Sequence, residues 1–236
     1  MVIYPAIVAA VGFVFAAILL RQYLDRRKPY QLVWTIALTI AGLAGLAFVL
    51  FLAADRSVLF FRLYYLFGAV LMAAYMGLGS VYLLAPRRAA NITGIVVGAL
   101  SLVGLVLMLT VPIHAPALQG SNVEAGSKAV TEPVLVAVLV LLNAFGATAV
   151  IGGAIYSAYR LFRNHGPVQL LAANILIATG TILASLAGTV DRTTGVESTF
   201  WSLLAAGFVV LFAGFLLTTR KTRSTTSPAE TVSNVR

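Results

Sequence analysis

The chain has 236 residues, of which 61% are hydrophobic and 10% charged, and its mean hydropathy is +0.99. A soluble domain carries roughly 25% charged residues, and a soluble fold of this length could not hide so much apolar surface, so lipid must cover it. The absence of cysteine excludes disulfides, thiolate metal sites and a cysteine nucleophile. The net charge of +9 sits in connections between apolar runs, which argues against a nucleic-acid partner.

About 20 apolar residues cross a hydrocarbon core as a helix, and seven such runs follow one another with short connections. The reading is an all-α integral membrane protein, a single seven-helix domain over residues 1–221. The first span, near 2–20, has no basic leader. Arg21, Arg26, Arg27 and Lys28 follow it instead, which marks an uncleaved first span with its N-terminus outside. The second, near 31–53, carries Trp34 towards its inner end, with Thr35 and Thr39, and runs out at Ala54-Asp55-Arg56-Ser57.

The third span, near 58–84, holds Arg62, the one charged residue inside a span. An ionised group in lipid is costly and reads as functional by default. Arg62 lies about one turn from the outer end, however, where a long side chain can also snorkel to the headgroups. Tyr75 is deeper and needs a hydroxyl partner. Around it, Tyr75-Met76-Gly77-Leu78-Gly79-Ser80 supplies small residues for close helix approach, as do Gly42, Gly45, Gly94, Gly98 and Gly152-Gly153 elsewhere. The fourth span is near 92–112. The long connection His114–Pro133, rich in Gly, Ala, Ser and Pro, reads as a flexible tether.

Asn143 lies in the fifth span, near 134–159, and Asn174 in the sixth, near 168–190. An amide in hydrocarbon wants a partner, either a neighbouring helix or a polar solute. Thr148, Thr179, Thr181 and Ser185 join Thr35 and Thr39 as further candidates to line a cavity. The sixth span ends in Val190-Asp191-Arg192-Thr193, so Asp55, Arg56, Arg62, Asp191, Arg192 and Glu197 would form a charged outer vestibule. The seventh span, near 199–218, has Trp201 at its outer end, where with Tyr82 and Trp34 it fits the aromatic belts. Residues 222–236 are Ser/Thr-rich and read as a disordered cytoplasmic tail.

Twelve of the 16 basic residues fall on the odd-numbered connections and the tail, which places the N-terminus outside and the C-terminus in the cytoplasm. Two landmark strings match. Ala17-Ile18, Leu24, Arg26, Pro29, Gln31 and Leu32 recur as Ala154-Ile155, Leu161, Arg163, Pro167, Gln169 and Leu170, with one inserted residue, and both copies end in an Asp-Arg pair. The pattern reads as a 3+1+3 parallel internal repeat. That plan is similar to the sugar-efflux carriers of the SWEET type and to vitamin-precursor carriers. Their Pro-Gln or Pro-Asn pair is missing here, since Pro5 and Pro133 are followed by Ala and Val.

No lysine stands between Thr199 and Thr218 for a retinal Schiff base, and His114 and His165 fall on opposite membrane faces, so no shared haem or metal is expected. With no acidic residue inside a span, a proton relay is not expected either. No catalytic constellation is visible, and neither an enzyme nor a cofactor is expected. Three readings stand: a small permease for a neutral or weakly polar solute, a seven-helix sensor module, or an accessory subunit of a larger membrane complex or homo-oligomer. The composition suits a bacterial inner membrane.

Overall fold

The structure, a computed structural model, describes residues 2–119, 129–194 and 199–219; the side chains of residues 115, 188, 189, 191–194 and 219 are outside that description, as is the tail 222–236. Among the described residues, seven helices are long and apolar enough to cross a bilayer. They are α1 (Ile3–Arg26), α2 (Pro29–Ala53), α3 (Val58–Leu84), α4 (Arg87–Thr110), α5 (Pro133–Arg163), α6 (Val168–Thr194) and α7 (Thr199–Thr219). The protein is a multi-pass membrane protein, and helices are the form in which each segment satisfies its own backbone in lipid.

Several helices outrun the apolar runs that announce them. α1 continues six residues past Leu20 through Arg26, and α4 starts at Arg87 rather than near Ile92. Hydropathy marks the hydrocarbon slab, whereas a helix carries on into the headgroup layer, where polar side chains are solvated. Local chemistry sets the true ends. Arg27 adopts the left-handed conformation (φ 53°) and its N–H closes on the Tyr23 carbonyl, ending α1. Pro29 and Pro133 open α2 and α5, where a missing N–H costs nothing. Arg26, Arg160 and Arg163 sit in last turns, where the helix dipole favours cations.

α1 packs on α2, α2 on α3, α3 on α5, α5 on α6, α6 on α7, and α7 back on α1. This closes a ring of six, with α4 outside it against α3 and α5. The order of neighbours is unchanged if α1, α2, α3 are exchanged with α5, α6, α7. The closest crossings do not follow that exchange. A Cβ on Gly12 would lie 2.9 Å from the Gly42 backbone, one on Gly146 2.1 Å from the Ala73 carbonyl oxygen, and one on Gly180 2.6 Å from the Gly207 carbonyl oxygen. The backbones that touch are therefore those of α1 with α2, α3 with α5, and α6 with α7.

Residues Tyr65–Met72 of α3 are π-helical, a form usually confined to single-turn bulges and often found at functional sites. The segment follows an aromatic cluster in which the Phe48 ring lies 4.8 Å from Tyr64 and 4.7 Å from Trp201. Trp201 is thus buried in the core, not placed in an aromatic belt. Trp34 is likewise turned inward. Its Nε1 donates to the Met76 carbonyl at 3.1 Å, and its ring occupies the space a Cβ on Gly79 would need. Tyr82, half-buried like Trp34, donates to Asn91 Oδ1 at 3.0 Å.

The described ends of the long connection are folded rather than loose. Ala115–Gln119 forms a 3-10 turn, Leu118, Ala129 and Val130 are buried, and the Arg56 guanidinium donates to the Leu118 carbonyl at 2.7 Å.

Candidate functional site

Two cavities lie in file inside the ring of six. One is about 160 Å³ and is walled by α1, α2, α3, α5, α6 and α7 on the side of Val8, Tyr64 and Trp201. The other is about 460 Å³ and is walled by the same six helices nearer the basic end, where Arg26 and Thr218 are exposed at its edge. Along α7 the near cavity touches Leu204 and the far one Leu211. Phe208, buried and one turn from each, lines neither and belongs to the partition.

The two asparagines part company. Asn143 lines the smaller cavity, with its Nδ2 donating to the Ala69 carbonyl at 2.6 Å and to its own helix at Leu139 at 2.8 Å. Ala69 is in the π-helical segment, so the bond ties α5 to the irregular part of α3. Asn174 lines the larger cavity and donates to its own helix at Leu170, 2.8 Å away. The carbonyl oxygens of both amides take no hydrogen bond among the described residues.

Each cavity also carries a buried polar atom without a partner among the described residues. In the smaller it is the indole N–H of Trp201, a donor; in the larger it is Oε1 of Gln31, an acceptor. Gln31 is 1% exposed, and its other amide end donates to Gln22 Oε1 at 3.4 Å, the long edge of the hydrogen-bond range. A buried polar group left unpaired costs about 1–3 kcal/mol, and most native ones are satisfied, so each such atom calls for an explanation. Both positions are legible as polar or amphipathic side chains in apolar runs. That they end without partners depends on the packing around them and has no signature in the chain.

The remaining candidates lie elsewhere. Arg62 donates to the carbonyls of Met108 and, at 2.8 Å, of Val111, at the C-terminal end of α4. Those carbonyls have no intrahelical partner, and a cation there complements the dipole. It lines neither cavity, nor do Tyr75 and Asp55. Tyr75 packs half-buried against the core, and Asp55 is exposed at φ 49° in the turn between α2 and α3. The side chains of Asp191 and Arg192, and all of Glu197, lie outside the described residues. Of the hydroxyls, Ser185 lines the smaller cavity. Thr35, Thr39 and Thr181 each donate to the carbonyl four residues back in their own helix, and Thr148 and Thr179 are exposed.

The two glutamines matched by the repeat do different things: Gln31 faces Gln22 of α1, while Gln169 donates to the Leu217 carbonyl of α7 at 2.7 Å. No family model, curated protein or solved structure matches the chain.

Proposed function

We propose that the protein is a small permease of the bacterial inner membrane, with its basic end in the cytoplasm, built from two three-helix units and a linker helix. One observation supports this above the others: the two cavities stacked in the ring, each with one candidate asparagine and one unpaired buried polar atom. The smaller offers the Trp201 donor and the larger the Gln31 acceptor. A solute with a hydroxyl or amide, which both donates and accepts, has a partner at each station. A binding-only sensor needs one such station, and an accessory subunit needs none.

The partition at Phe208 means passage requires the helices to rearrange, so flux is expected to saturate with solute concentration. The test is stopped-flow solute uptake into vesicles reconstituted with the full chain, across a panel of hydroxylated and amide solutes. Saturable uptake above protein-free vesicles, lowered in Trp201→Phe, is the expected result. A folded protein that moves nothing in the panel overturns the reading.

A further inference from the structure

We propose that the larger cavity binds a small organic carboxylate that carries a hydroxyl or amino donor on an apolar, ring-sized body. The inference deepens the permease reading, since it assigns the solute class of the same axis. It starts from Gln31. Its side chain lines the cavity, and its buried Oε1 accepts no hydrogen bond among the described residues. An amide oxygen in that position is satisfied by a ligand N–H or O–H. The free carbonyl of Asn174 on the same wall offers a second acceptor.

The charge on the wall has one sign. Arg26 is the single charged residue lining the cavity among the described residues, and it is exposed at the edge. Its guanidinium pairs with a carboxylate through two parallel bonds. Asp25 precedes it and Arg27 and Lys28 follow it in the chain, so the edge keeps a net positive potential. With no carboxylate on the wall, a cationic ligand would be repelled. A phosphate dianion would leave a charge uncompensated by one guanidinium.

Arg26 lies one turn past Gln22, which meets Gln31, and on the other side of that pair, deeper along α1 and α2, the wall is apolar and aromatic. Phe15, Phe215 and Trp34 face the space, and about 460 Å³ falls in the range of sites that take drug-sized ligands. The ligand therefore lies with its donor at Gln31 and its carboxylate towards Arg26, and its body fills the aromatic stretch.

Three matched probes test the assignment by titration calorimetry on the detergent-purified full chain: 3-phenyllactate, its primary amide, and 3-phenylpropanoate, which lacks the hydroxyl. Phenyllactate is expected to bind about tenfold tighter than either analogue, the size of one net hydrogen bond or one exposed ion pair. Arg26→Gln should abolish the preference over the amide while leaving the amide's own affinity in place. Gln31→Leu should abolish the preference over 3-phenylpropanoate; if that variant misfolds, exposed Arg26→Gln carries the test. Three probes bound alike would mean a cavity without the assigned preference, and no heat from any at about 10 mM a cavity filled by water alone; either result overturns the proposal. Preferential binding without vesicle uptake supports this assignment and refutes the permease reading. Uptake of neutral solutes with no preference for phenyllactate does the reverse.

Discussion

The crossing of α3 and α5 is the place where one methyl group should do most damage. In Gly146→Ala the new Cβ would stand 2.1 Å from the Ala73 carbonyl oxygen, 2.3 Å from its carbon and 2.9 Å from the Ala74 nitrogen. All three atoms are backbone, so no rotamer change relieves the overlap. A tolerable carbon–oxygen contact is about 3.3 Å, so the helices must part by about 1 Å. Overpacking of this kind costs about 1–3 kcal/mol. The Asn143 bond to Ala69, 2.6 Å long and close to the crossing, would then be stretched to the edge of its range. An interhelical bond of that kind adds about 1 kcal/mol. The sum, about 2–4 kcal/mol, lowers the melting temperature by about 4–16 °C for a chain of this size. Gly98→Ala and Gly152→Ala are internal controls, since a Cβ at either meets nothing within 4 Å. Both should melt at or above the unsubstituted protein. Thermal unfolding of the three variants in one detergent decides the matter. If Gly146→Ala melts within about 1 °C of the controls, the backbone-to-backbone packing at this crossing is refuted.

Arg62→Gln leaves the end of α4 without its cation and should destabilise by about 1–3 kcal/mol, with Arg62→Lys a poor rescue because it lacks the planar fork; chemical unfolding of the three proteins measures it. Trp201→Phe removes a buried unpaired N–H but also part of a ring packed against Phe48 and Tyr64, so the two effects offset and stability should shift by less than about 2 kcal/mol even as uptake falls. A drop of more than about 2 kcal/mol would mean the indole is held by a contact of its own. His165, exposed at φ 51° between α5 and α6, is in a conformation that only glycine adopts freely. His165→Gly should leave stability unchanged or raise it by about 1 kcal/mol in the same melting assay.

The number of spans was legible because lipid imposes a length on an apolar run, and seven runs met it. Their ends were less so. The last turns of α1 and the first of α4 are polar, and hydropathy stops at the slab while hydrogen bonding does not. The π-helical segment left no trace, since the change of register alters neither length nor apolarity. Asn143 and Asn174 stood out as costly amides, and both line cavities. Arg62 stood out for the same reason and turned to the carbonyls of α4, because a lone cation in an apolar run is satisfied equally by a ligand or by a helix end. Gln31 and Trp201 show the reverse. Gln31, at a span's edge, looked like a landmark of the repeat and Trp201 like a belt residue. Only the packing of Phe48 and Tyr64 around Trp201, and the distance of Gln22 from Gln31, leave their polar atoms alone.

The three glycine crossings also divide the ring mechanically. α1 with α2, α3 with α5 and α6 with α7 are zipped backbone to backbone, like staves glued in pairs. Between them run three seams of side chains, and each is softer than a zipped pair because rings and methyls can slide where carbonyls cannot. At the seam between α1 and α7, Phe15 lies 5.0 Å from the Phe212 ring and 4.3 Å from Phe215. At the seam between α2 and α3, Trp34 lies in the notch left by Gly79. A load that widens the barrel would therefore open it along its seams and keep each pair whole.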